Sequence, residues 1–133
     1  MSVNAENFLQ AADQNLVNAS HEIDYRNSIS RAYYATFHAL TPLSDHLPAA
    51  TNYKSQGSHD KKISKLTRCS SDHSEAIMLK AVGYEIQKRK AQRVTADYRI
   101  DEAVDKNDAE EQLLKAKFLL EQIAQLKTAL QIP

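Results

Sequence analysis

Two glycines (Gly57, Gly83) and three prolines (Pro42, Pro48, Pro133) are the only chain-breaking residues in 133 positions, and runs of β-branched residues are absent. A chain with so little turn chemistry cannot weave many short strands, and the rest of its sequence favours helix throughout. At this length it makes one domain, residues 1–133, with a modest core.

Apolar periodicity locates the helices. Asn4 is placed to cap a first helix that buries Phe8, Ala12, Leu16 and Ala19. A break at His21 to Asp24 leads into a second helix. There Ile29, Ala32, Tyr33, Thr36, Phe37 and Leu40 recur at steps of three and four, the stripe of a core-facing helix. Pro42 is expected to end or kink it. Residues 44–58, small and polar with Pro48 and Gly57, read as a long loop. Ser58 is the expected cap of a short third helix, 58–66, with Ile63 and Leu66 facing inward.

Ser70, Ser71 and Asp72 offer caps for a fourth helix through residues 75–94. Its expected buried residues are Ile77, Ala81 and Tyr84, with Val82 and Ile86. Gly83 in its middle costs about 1 kcal/mol against alanine, which points to a neighbour packed closely there. In the last helix Asn107 with Glu110 has the spacing of a capping box. Ala109, Leu113, Ala116, Leu120, Ile123 and Leu130 form its stripe. Leu119 and Leu126 widen that stripe enough to cover one face inside the chain and a flank against a second copy. The expected fold is all-α: an antiparallel up-and-down bundle of four long helices plus a short one.

Charge narrows the function. Seventeen basic residues balance seventeen acidic ones, so no global field draws nucleic acid in, and any such contact needs a local patch. Cys69, the single cysteine, has no partner for a disulfide and belongs to no zinc-finger spacing. The acidic N-terminus lacks the basic flank and apolar run of a signal peptide, and a cytoplasmic location is expected. The five histidines show no paired helical spacing of a zinc site, and neither metal nor cofactor is expected.

Two clusters remain. At about 100° per residue, Asn27, Arg31, Tyr34 and His38 share one strip of the second helix, opposite Ile29, Tyr33, Phe37 and Leu40. A solvated face explains such a strip, but a cation, a phenol and an imidazole can also hold and act on a phosphate. Lys88, Arg89, Lys90, Arg93 and Arg99 form the densest basic run of the chain. It reads either as cations at a helix end or as part of a site, with Arg93 and Asp97 spaced for a surface pair.

In order, SISRAYYATFHAL, SHDKKI and RVTADY resemble the signature blocks of small prokaryotic HEPN-domain proteins, across about residues 8–125. The resemblance implies an RNA- or nucleotide-associated component of a toxin-antitoxin or phage-defence system. It further implies a homodimer, often beside a nucleotidyltransferase-like or other antitoxin partner. Many such proteins are metal-independent endoribonucleases that pair an arginine with a histidine four to six residues on, in composite sites across a dimer. Carried over, it gives Arg31, His38, Arg93 and Tyr98 catalytic roles and Asn27, Tyr34, His59 and Asp97 substrate-binding ones. The chain departs from that pattern after Arg93, where Tyr98 stands in place of a histidine. A phenol is a poorer base near neutral pH. The alternative is a non-catalytic helical module that dimerises and recruits a partner.

Overall fold

The computed structural model describes residues 2–48 and 57–133. It contains α1 (Ala5–Val17), α2 (Glu22–His46), α3 (Ser58–Thr67), α4 (Ala76–Tyr98) and α5 (Lys106–Ala129), with no strand among the described residues. None of these helices is long and apolar enough to cross a membrane. The helix α2 lies at the centre and packs against each of the other four. Most of the expected 44–58 loop lies outside the described residues.

Asn4 caps α1, its side-chain oxygen accepting from the Asn7 amide at 3.0 Å while Asn7 returns the bond to Asn4 at 2.9 Å. Small residues bring α1 close to α2. Ala12 and Ala32 are buried together with Leu113 and Ala116, and the Ser28 hydroxyl donates to the Ala12 carbonyl at 2.8 Å. The break before α2 is shorter than expected, since the helix starts at Glu22. The Asp24 carboxylate accepts from the Ser20 and His21 amides there, and those bonds hold its pKa below the usual carboxylate range.

Pro42 neither ends nor visibly interrupts α2, which runs on to His46. A proline inside a helix costs roughly 3 kcal/mol. The turn beyond it offsets this by burying Leu43 and Leu47, while Ser44 donates to the Lys62 carbonyl of α3 at 3.0 Å. The main core joins Tyr33, Phe37, Leu40 and Leu43 of α2 to α3, α4 and α5. Ile63 and Leu66 of α3 face inward as expected, although Gly57 rather than Ser58 is the cap.

The fourth helix reverses the expectation for Ile77, Ala81 and Tyr84 and keeps it for Val82 and Ile86. Ile77 is 90% exposed, and Ala81 and Tyr84 also face solvent. Leu79, Val82, Gly83, Ile86, Arg89, Arg93 and Ala96 form the inner row instead. Two arginines in that row break its apolar period, and this made the outer stripe look like the core one. The close packing expected at Gly83 is present: a Cβ there would lie 2.7 Å from Thr67 Cγ2 and 3.0 Å from the Thr67 amide nitrogen.

In α5 the buried stripe is as expected, but the cap is Asp105 with Asp108, not Asn107 with Glu110. The preceding turn decides this. Val104 is buried with Ala109, an apolar staple across the helix start, and its amide donates to Glu22 at 2.9 Å. The same Glu22 holds Arg26, whose guanidinium donates to the carbonyls of Thr95, Ala96, Arg99 and Glu102. A buried cation thus closes the electronegative C-terminal end of α4 and fixes the helix that carries Arg93.

Candidate functional site

Three helices meet around Arg93. From the inner face of α2 come Tyr33 and Phe37, with Tyr34 at the edge. From the first turn of α3 come His59 and Asp60, and from the last two turns of α4 come Lys90, Arg93, Asp97 and Tyr98. The Arg93 guanidinium is buried against three phenol rings, 5.2 Å from Tyr33, 5.5 Å from Tyr34 and 5.9 Å from Tyr98. Such rings attract a cation through their electron-rich faces. Its one carboxylate partner, Asp97, stands 3.5 Å away and also accepts from the Ser30 hydroxyl at 3.3 Å. Arg93 Nε is buried without a hydrogen-bond partner among the described residues, so the fork keeps donor capacity.

His59 is oriented from two directions. Its ring stacks on Phe37 at 3.9 Å between centroids, and Nδ1 lies 2.8 Å from the Tyr33 hydroxyl. That bond leaves Nε2 as the nitrogen that exchanges a proton. Where the hydroxyl donates, Nε2 carries the proton and is a hydrogen-bond donor; where it accepts, Nε2 is a base. Burial lowers the His59 pKa, the Arg93 and Lys90 charges lower it further, and Asp60 opposes them. The imidazole is therefore neutral near pH 7. Burial pushes the Tyr33 phenol well above its usual range, so it stays protonated. Lys90 binds Asp60 at 2.6 Å and locks the start of α3 against α4.

Of the residues picked out from sequence, the fold gathers Tyr34, His59, Arg93, Asp97 and Tyr98 in this cluster. Arg31 and His38 lie exposed one strip over, where Phe8 of α1 meets them at 6.0 Å and 4.7 Å. Tyr34 links the two groups, with its ring 6.1 Å from that of His38 and 5.9 Å from that of His59. Asn27 is exposed on the same strip as Arg31. Tyr33 and Lys90 were not picked out as site residues. Tyr33 matched the core stripe, and Lys90 carried no sequence signal that distinguished it within the basic run. That run separates in three dimensions: Arg89 turns to Gln112 of α5 at 3.0 Å, Lys90 to Asp60, and Arg93 to the tyrosines.

Among the described residues no three His, Cys, Asp or Glu side chains gather as a metal-binding group. Compared with known proteins, the chain matches no family model and no curated relative.

Proposed function

We propose that the chain binds RNA at the Arg93–His59 cluster and cleaves it without a metal ion, as a HEPN-like four-helix bundle with an added short helix. The supporting observation is the pairing of a buried guanidinium with spare donor capacity and an oriented, neutral imidazole on one tyrosine, Tyr33. Arg93 supplies positive charge that offsets the negative charge a phosphodiester develops in the transition state. His59 Nε2 removes the 2′-hydroxyl proton, the 2′-oxygen bonds to phosphorus, and the bond to the 5′-oxygen breaks. The products are a 2′,3′-cyclic phosphate and a 5′-hydroxyl, the leaving oxygen taking a proton from water and the His59 imidazolium giving its own to solvent. Tyr34 and Tyr98 offer rings for the flanking bases. Arg31 and His38 form an outer strip through which the strand enters. The toxin-antitoxin or defence role, with a nucleotidyltransferase-like or other antitoxin partner, belongs to this reading.

RNA cleavage in EDTA by the wild type, His59→Ala, Arg93→Ala and His38→Ala tests it. Loss of cleavage in the first two variants, with helicity by circular dichroism unchanged, is expected. A folded wild type that leaves varied RNAs intact would overturn the catalytic reading.

One observation favours a second reading, a dimerising module. A cavity of about 530 Å³ opens between α4 and α5, lined by Ala81, Leu114, Phe118 and Leu119. Leu114 and Phe118 are 69% and 60% exposed beside it, and the rim carries both signs of charge in Glu85 and Lys115. A second copy related by a two-fold axis suits a face that is apolar at its centre and self-complementary at its edge. Phe118→Glu is expected to convert a dimer to a monomer in sedimentation. A wild type that sediments as a monomer at all concentrations would remove this reading.

A further inference from the structure

The chain is neutral overall, but its charges are separated. Residues 58–98, which span α3 and α4, hold nine Lys and Arg against five Asp and Glu. The rest of the chain holds eight against twelve. Four excess positive charges therefore lie on one helical hairpin. This is the local patch that a neutral chain needs if it is to hold a polyanion.

The arrangement within the hairpin is directional. Ile63, Leu66 and Thr67 turn inward on α3, which sets Lys61, Lys65 and Arg68, at steps of four and three, on the opposite face. Neighbouring side chains in such a row stand about 5–6 Å apart at Cβ. Asp60 meets Lys90, and Leu66 and Thr67 press on Gly83, so α3 runs antiparallel along α4 in close contact. The row begins at Lys61, two residues and about half a helical turn round α3 from His59. The Arg93 guanidinium meets the rings of both Tyr34 and the exposed Tyr98.

We propose that the outer ridge of α3, led by Lys61 and Lys65, is an electrostatic track for phosphates flanking the one held at Arg93. The substrate is then a single-stranded RNA several nucleotides long rather than a mononucleotide or a duplex. This rests on the RNA reading of the Arg93–His59 cluster. Single-stranded binders combine a basic track with rings on which unpaired bases stack, and a duplex presents no free base faces to Tyr34 and Tyr98.

The probe is a short labelled pyrimidine strand with 2′-O-methyl groups, which cannot be cleaved, followed by fluorescence anisotropy between roughly 50 and 200 mM salt. Each single-strand phosphate contact contributes roughly 0.7 to the slope of log affinity against log salt. Lys61→Gln with Lys65→Gln is expected to lower that slope by about 1.4, with binding of uridine 3′-monophosphate unchanged. Arg93→Met is expected to abolish binding of both ligands. An unchanged slope in the lysine double variant would overturn the track and leave the Arg93 site standing. Strand binding no tighter than that of the mononucleotide, or a duplex bound equally well, would do the same. A folded wild type that binds neither ligand overturns both readings.

Discussion

The neighbouring helices α4 and α5 have 23 and 24 residues, yet they are built by opposite rules. The helix α5 hides Ala109, Leu113, Ala116, Leu119, Ile123 and Leu126 and shows solvent a charged surface interrupted by Leu114 and Phe118. The first half of α4 hides Leu79, Val82 and Ile86, then the same inner row passes to Arg89 and Arg93. Its outer face meanwhile carries Ile77 and Tyr84. Each arginine has a buried Nε without a hydrogen-bond partner among the described residues. Leaving such donors unmet is unfavourable, and helices that serve only packing avoid it. The change from apolar to cationic along one row marks where the core of this bundle becomes its site.

The largest effect that would break the comparison belongs to α5. Leu126 is fully buried, and Leu126→Ala is expected to lower stability by about 2–5 kcal/mol in urea unfolding. Gly83→Ala comes next. Its methyl meets the Thr67 backbone and side chain, and overpacking of about 1–3 kcal/mol outweighs a helix-propensity gain near 1 kcal/mol. A rise in melting temperature for this variant would show that α3 yields more readily than its contacts indicate.

A smaller effect should appear with pH. The folded His59 pKa is depressed, so between that value and the ordinary histidine value near 6.5 the unfolded chain binds the extra proton. Stability from this residue is complete above that window and declines as pH falls through it. The wild type should therefore lose more melting temperature between pH 7.5 and 5.5 than His59→Gln, and equal losses would contradict the burial of this ring. Smallest of all is Ile77→Ser on the outer face of α4, expected to change the stability of the single chain by no more than about 0.5 kcal/mol. A loss above 2 kcal/mol would show that this face is covered, and a second copy would become the first explanation.

Much of the architecture was legible in the residues themselves. The scarcity of glycine and proline dictated helices. The stripes of α2 and α5 and the Asn4 cap followed from spacing alone. Local sequence settles these because each depends on a helical period or on a bond within one turn. His59, Arg93, Asp97 and Tyr98 were given site roles by the resemblance, but nothing in a one-dimensional pattern states which of them meet.

Tertiary structure decided the rest. Packing beyond Pro42 carried α2 past its expected end, and the buried Val104 selected Asp105 as the cap of α5. The face of α4 could not be read because an arginine held by rings or by a side-chain amide on other helices looks, in sequence, like a solvated one. Arg26 is the same case, closing the end of a helix some seventy positions away. Periodicity reports which side chains avoid water on average, whereas the burial of a particular charge depends on partners that only the folded chain brings within reach.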